Sequence, residues 1–266
     1  MTSDKRVAII GGGNLGTAIT DGLLASNFCS AAAITLTRRN TESLKRYAEN
    51  GIIVSSDNVA AVHSSNIVII AVKPFQIAEV ITAVKPALTE HHIIVSVVTG
   101  VSLQELHDLV EKDIPLFRAM PNTAIAIQES MTCISHQRAS RAQVDYITSI
   151  FNLLGKVVVI NDGLMDAATV LGACGTAFAM RYIRANIQGG IEIGFDSETA
   201  SIIAAQTVKG AAALLLIRGS HPEQEIDKVT TPKGCTIAGL NEMEHRGFSS
   251  SLIKGIATSF HKIVKH

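Results

Sequence analysis

A run of glycines directly behind a short apolar segment constrains this chain more than any other feature. Val7-Ala8-Ile9-Ile10 leads into Gly11-Gly12-Gly13-Asn14-Leu15-Gly16, and a helical pattern continues through Thr17 to Leu24. The spacing is G-x-G-x-x-G, set between a strand and a helix. The first glycine permits the tight turn, the second lets backbone approach a pyrophosphate, and the third allows close helix–strand packing. The helix start then offers unpaired N–H groups and the positive end of its dipole to the anion. In this context the motif reads as a dinucleotide site held by Gly11, Gly13, Asn14, Leu15 and Gly16, rather than as a ligand-free glycine turn.

The rest of the chain supports a fold built around that unit. Strand patterns fall at Val7–Ile10, Ile34–Thr37, Ile52–Val54, Ile67–Val72, Ile93–Val97 and Leu116–Met120. Helical patterns lie between them at 15–24, 41–49, 77–84 and 102–110, the last opened by Ser102 with Glu105 three residues on, a capping-box signature. Several strands are apolar throughout, as in a parallel sheet covered on both faces. Met131–Ser135, a helix over 140–154 and Val157–Ile160 extend the sheet at its edge. Beyond Asn161 the texture becomes helical only, with patterns at 164–193, 197–217, 236–245 and 250–264. The expected fold is α/β: an N-terminal Rossmann-type doubly wound sheet over residues 1–161, then an all-α C-terminal domain over 162–266.

Bulk properties exclude several classes. With 47% hydrophobic and 17% charged residues the chain can build a substantial core. Its formal net charge of zero argues against a nucleic-acid or anionic-membrane partner. No apolar stretch reaches the ~18–20 residues needed to span a bilayer. The first residues lead straight into a strand, so no signal peptide is expected. Cys29, Cys133, Cys174 and Cys235 are scattered without a C-x-x-C pair, which fits reduced thiols in a cytoplasmic protein. The nine histidines show no metal-ligand spacing, and no metal is expected. The helix over 197–217 is apolar on nearly every side and must be covered all round. A region of roughly a hundred residues has little room for that alone, so the pattern favours a symmetric homodimer over burial within one monomer.

The end of the second strand bears on cofactor choice. Where NAD-binding relatives of this fold carry an acid for the ribose 2′-OH, this chain reads Thr37-Arg38-Arg39-Asn40. Two guanidinium groups suit a 2′-phosphate, which favours NADPH over NADH; the alternative is that they decorate a strand end. Ala71-Val72-Lys73-Pro74 and Val97-Val98-Thr99 follow the fourth and fifth strands, where the fold places ligands. On spacing alone Lys73 reads equally as a ligand contact or a solvated loop lysine. Farther on, Thr231-Pro232-Lys233-Gly234-Cys235-Thr236 precedes a helix, so the N–H groups of Gly234, Cys235 and Thr236 form either an anion-binding nest or an ordinary helix cap.

Across nearly its whole length the chain resembles the pyrroline-5-carboxylate reductases. The likeness rests on Ile10–Gly16, Ala71–Pro74, Phe117-Arg118-Ala119-Met120-Pro121-Asn122-Thr123, Gln206–Ala211 and Thr231–Leu240. The resemblance implies reduction of L-1-pyrroline-5-carboxylate to L-proline with NADPH or NADH, and a homodimer or ring of dimers. It implies cofactor contacts from Asn58, Ala71 to Pro74 and Val97 to Thr99. It further implies a substrate carboxylate held by Gly234, Cys235 and Thr236, with the Thr236 hydroxyl near the imine nitrogen. Two departures stand out. Gly172-Ala173-Cys174-Gly175-Thr176-Ala177 replaces the usual Ser-Gly-Ser-Gly-Pro-Ala, and Lys233 replaces a usual glycine. Other readings are a β-hydroxyacid dehydrogenase using Lys209, a reductase of another cyclic imine, and a non-catalytic nucleotide sensor.

Overall fold

The computed structural model describes residues 6–264. Residues 1–5, on which the expectation about a signal peptide rests, lie outside them. In chain order the strands are β1 (Val7–Ile10), β2 (Ile34–Thr37), β3 (Ile53–Ser55), β4 (Ile67–Ile70), β5 (Ile93–Ser96), β6 (Leu116–Met120), β7 (Ser130–Gln137) and β8 (Gly155–Val159). The helices among and after them are α1 (Asn14–Ala25), α2 (Lys45–Glu49), α3 (Asn58–His63), α4 (Ile77–Val84), α5 (Leu103–Val110), α6 (Arg141–Asn152), α7 (Met165–Ala168), α8 (Gly175–Glu192), α9 (Ser197–Arg218), α10 (Pro222–Lys228), α11 (Cys235–His245) and α12 (Phe248–Val264).

The strands form one sheet in the order β3-β2-β1-β4-β5-β6-β7-β8, parallel except at the β6–β7 pair. Alternation along each strand divides the apolar residues between two cores. Ile9, Ile69, Val95 and Phe117 face one layer, and Ile10, Ile70, Ile94 and Leu116 face the other. Each layer is closed by helices, which is why these strands carry no polar stripe. The chain runs outward from β1 through β2 and β3, then returns to place β4 on the other side of β1. This reversal opens a crevice beyond the carboxyl ends of β1 and β4, where doubly wound folds take ligands.

Local signals explain most helix ends. Ser102 accepts from the Glu105 N–H while the Glu105 carboxylate accepts from the Ser102 N–H, completing the expected capping box on α5. Asp196 caps α9, and Gly219 ends it in the left-handed conformation. Two helices, α3 and α10, were not anticipated because each is shorter than two helical turns' worth of apolar periodicity. The expected helix over 164–193 is helical throughout but not uniform, since residues Thr169–Cys174 widen into a π segment between α7 and α8.

Contacts divide the chain into two compact units. One holds residues up to Cys174 together with those from Lys262 on, and the other holds Gly175–His261. The π segment packs on β6 and β7, and so belongs to the first unit. Within the second unit α8 packs on α9, but Ile202, Leu216 and Ile217 stay largely exposed. The expectation that nothing here is long and apolar enough to cross a bilayer needs correction. Residues Asp162–Glu192 and Ser197–Arg218 both reach that length and composition. The difference arises because alanine among the larger apolar residues keeps the average high even though glycine and polar residues break the run.

Candidate active site

The crevice at the β1–β4 reversal is a cleft of about 890 Å³. Its floor is the glycine turn. Gly11 sits at φ +112°, a conformation suited to glycine, and a Cβ there would lie 2.5 Å from the Ala71 carbonyl oxygen. The N–H groups of Gly11 and Gly12 donate to the Thr37 carbonyl at 3.2 and 2.7 Å, tying the turn to the end of β2. Gly16 packs beneath the turn: a Cβ would lie 2.0 Å from the Gly11 oxygen. Gly13 is the opposite case, open to the cleft with nothing within 4 Å of its Cβ position. It is the N-cap of α1 and supplies no side chain to that helix's first N–H groups.

Most of the expected cofactor residues come together here. Gly11, Gly13, Asn14, Leu15, Arg38, Arg39, Asn58, Ala71, Val72, Lys73, Pro74, Val97 and Thr99 all line the cleft. Two do not. Gly16 lies under the loop rather than on its surface, and Val98 is buried in the core between the sheet and its helices. Arg38 donates from Nη1 to the Gly12 carbonyl at 2.9 Å, so its guanidinium holds the glycine turn. Thr37 donates from Oγ1 to Asn58 Oδ1 at 2.6 Å, which commits that oxygen and leaves the Asn58 NH₂ group available. Gln76 accepts the Lys73 N–H at 3.2 Å and shapes the turn after β4.

Other lining residues were not singled out as contacts. Ser56 and Asn40 lie with the arginines, and Met120, Pro121, Asn122, Thr123 and Ala173 form another part of the wall. The Met120–Thr123 stretch was visible in the sequence as a family motif, but no local pattern gave it a role. Ala173 reaches the cleft only because the π segment folds back onto the sheet.

The cleft fits a dinucleotide on several independent counts. The turn leaves room at Gly13 for close backbone approach, and α1 presents its first N–H groups without a capping side chain. Arg38, Arg39 and Lys73 set three cations against the single carboxylate of Glu79 in the lining. Among the described residues neither arginine pairs with a carboxylate, so a phosphate meets no anionic competitor for them. No cluster of three metal-ligating side chains occurs among the described residues.

Gly234, Cys235 and Thr236 lie in the second unit, at the start of α11. Gly234 is its N-cap, with no side-chain cap and no acid in the first turn. One expectation changes here. The Gly234 N–H is not free, because it donates to the Thr231 carbonyl at 2.9 Å and closes the turn. The exposed donors are therefore those of the first helical residues, beginning with Cys235 and Thr236. That tight turn also explains Gly234, since a Cβ would lie 2.5 Å from Thr231 Oγ1. Lys233, just before it, sits at φ +59°. A left-handed lysine is tolerable and a β-branched residue there is not. Lys233→Val is accordingly expected to lower stability by about 1–2 kcal/mol, with Lys233→Gly within about 1 kcal/mol of wild type. Urea unfolding of the two variants checks this, and equal losses would contradict it.

Comparison with known proteins agrees with this geometry. A family model described as pyrroline-5-carboxylate reductase dimerisation matches residues 162–265, and one described as NADP oxidoreductase, coenzyme F420-dependent, matches residues 6–100. Pyrroline-5-carboxylate reductase 1 of Dictyostelium discoideum is 49% identical over 97% of this chain, which spans about half (49%) of that relative's length. Pyrroline-5-carboxylate reductase 2 of the same organism is 43% identical over 100% of this chain and 94% of its own. The crystal structure of Plasmodium falciparum pyrroline carboxylate reductase with NADP bound shares the fold at a TM-score of 0.88 and 22% identity, covering 97% of this chain and 96% of its own. With 43% identity to a relative matched over the whole of this chain and 94% of its own length, the chain belongs to the pyrroline-5-carboxylate reductase family.

Proposed function

We propose that this chain reduces L-1-pyrroline-5-carboxylate to L-proline with NADPH, the last step of proline biosynthesis, NADH serving as a poorer donor. The observation that carries the reading is the cleft itself, with an open glycine turn at its floor and two arginines free of carboxylates at the end of β2. The NADP bound to the Plasmodium relative is consistent with that charge. The nucleotide, when bound, supplies the hydride. Gly13 and the first N–H groups of α1, from Asn14 and Leu15, take the pyrophosphate, while Gly11 and Gly16 shape the turn beneath it. Arg38 and Arg39 take the 2′-phosphate, and Asn58, Ala71 to Pro74, Val97 and Thr99 line the remainder. Val98 contributes by holding its neighbours from the core.

The substrate carboxylate binds at the start of α11, on the N–H groups of Cys235 and Thr236, with Gly234 shaping the turn. The Thr236 hydroxyl orients the ring by hydrogen bonding near the imine nitrogen. An alcohol is far too weak an acid near neutral pH to protonate that nitrogen unaided, so its part is alignment, and the proton that accompanies the hydride is already on the imine nitrogen or comes from water. The exposed apolar face of α9 and the family's dimerisation domain support a homodimer, and rings of dimers are compatible with it. That association would also cover the apolar helices that otherwise resemble membrane spans. Four free cysteines fit a reducing, cytoplasmic setting.

The test is oxidation of NADPH and of NADH by purified protein, with and without pyrroline-5-carboxylate, alongside Thr236→Ala. Turnover should require the substrate and run faster with NADPH. Thr236→Ala should lower kcat/KM by about ten- to a hundred-fold, the scale of lost alignment. A folded protein that binds nucleotide yet oxidises neither would overturn the assignment.

A further inference from the structure

Asn122 is linked to the π segment by a contact that serves neither the glycine turn nor the start of α11. Asn122 follows β6 and lines the cleft, and so does Ala173 in the π segment fifty residues on. The Asn122 side chain is committed at both ends. Its Oδ1 accepts the Ala124 N–H at 3.0 Å, and its Nδ2 donates to the Gly172 carbonyl at 3.2 Å. Its backbone N–H donates to Ser130 Oγ at 3.1 Å, which fixes the residue on β7. The amide cannot be turned over, because that would set its NH₂ against the Ala124 N–H and its oxygen against the Gly172 carbonyl.

A π segment carries one extra residue per turn, and such widened turns collect at functional sites because they re-aim a piece of helix. Here the widened turn brings Ala173 into the cleft wall, and the Asn122 amide grips the residue immediately before it. The strand order tells which end of the cleft this is. Arg38, Arg39 and Asn40 follow β2, on one side of the β1–β4 reversal, and take the phosphate-bearing ribose. Met120 to Asn122 follow β6, on the other side, and face the reacting ring of a dinucleotide laid across the reversal.

We propose that Asn122 is a positioning residue which latches the π segment and so sets the wall at the reactive end of the cleft. The inference rests on the dinucleotide reading of the cleft. The latch acts on ring alignment and leaves nucleotide affinity, set by the glycine turn and the arginines, nearly untouched.

Asn122→Asp tests it in the whole chain. Aspartate keeps an oxygen for the Ala124 N–H but has no N–H for the Gly172 carbonyl, so the cap survives and the latch is lost. In the protein without nucleotide, hydrogen exchange should accelerate in peptides covering residues 169–174 while β4 and β5 keep wild-type protection. In turnover, kcat should fall about ten- to a hundred-fold with KM for NADPH within about two-fold. The isotope effect from NADPH deuterated at the transferred position should rise as the chemical step becomes limiting. Unchanged exchange with full kcat would overturn the inference. A parallel loss of kcat, nucleotide affinity and thermal stability would overturn it too, since that marks a general structural lesion. Failure of the wild-type protein to oxidise NADPH would refute the functional reading instead, and the exchange experiment would still decide the latch.

Discussion

Arg118→Met is expected to cost about 3–5 kcal/mol of unfolding free energy, the scale found when one partner of a buried ion pair is removed. Arg118 lies in β6 with its side chain about 5% exposed, and Nη1 donates to Asp162 Oδ1 at 2.8 Å. Asp162 also accepts the Leu103 N–H at 3.1 Å and the Ser135 hydroxyl at 2.7 Å, so one carboxylate joins β6, β7, the start of α5 and the turn before α7. Methionine fills much of the same volume but leaves Asp162 without its cation. Asp162→Asn in the same chain should then restore part of the loss, because a neutral amide no longer needs one. Urea unfolding of both variants measures this. A loss under about 1 kcal/mol in the single variant would show that solvent already screens the pair.

The same carboxylate gives the prediction a pH dependence. Burial alone would raise its pKa. Its bonds to the Leu103 N–H, Ser135 and Arg118 outweigh that and hold it below the ordinary aspartate value of 3.8. A depressed acid binds fewer protons folded than unfolded, so its contribution is complete above that ordinary value. It is lost as pH falls through the lower, folded-state value. The stability gap between wild type and Arg118→Met should therefore be constant around neutral pH and narrow below about pH 4. A gap that does not narrow in acid would place the effect in packing instead.

Gly16→Ala is expected to abolish useful nucleotide binding, raising KM for NADPH by more than about ten-fold. It should also cost about 1–3 kcal/mol of stability, as for an overpacked core. The added Cβ meets the Gly11 oxygen at 2.0 Å, and that oxygen is backbone that cannot swing aside. The start of α1 must separate from the glycine turn, so the N–H groups no longer converge on one point. Gly13→Ala separates the two effects. Its Cβ meets nothing within 4 Å, and the residue has an ordinary extended conformation at φ −86°. This variant should keep wild-type thermal stability while weakening NADPH, because the methyl projects where the pyrophosphate approaches. Fluorescence titration of NADPH and thermal unfolding, run on both, check the contrast. Tight binding by Gly16→Ala would remove the steric account of this glycine.

What the sequence determined by itself was everything carried by neighbours along the chain. The β1–glycine turn–α1 unit, the capping box of α5, and the Asp196 and Gly219 ends of α9 depend on residues within one or two turns of each other. Such signals survive as readable patterns. The lining of the cleft was legible for the same reason: strand ends in a doubly wound sheet meet at one edge by topology. The helical region beyond Asn161 was legible as helices. Its departure at Thr169–Cys174 was not, since a π turn has no compositional mark.

Tertiary structure alone decided the contacts made at long range. Arg118 and Asp162 are 44 residues apart, and Asn122 and Gly172 are 50 apart. Neither pair leaves a periodic trace, because only the sheet order brings β6 beside the start of the helical segment. Arg38 reads from sequence as a phosphate ligand, yet its guanidinium also holds the Gly12 carbonyl across 26 residues. The Gly234 N–H looked free until the turn to Thr231 claimed it. In each case a donor or charge in the sequence has several partners open to it. Which one it takes follows from the geometry of the folded chain, reinforced at buried Arg118 by the cost of leaving a polar group unpaired in a packed interior.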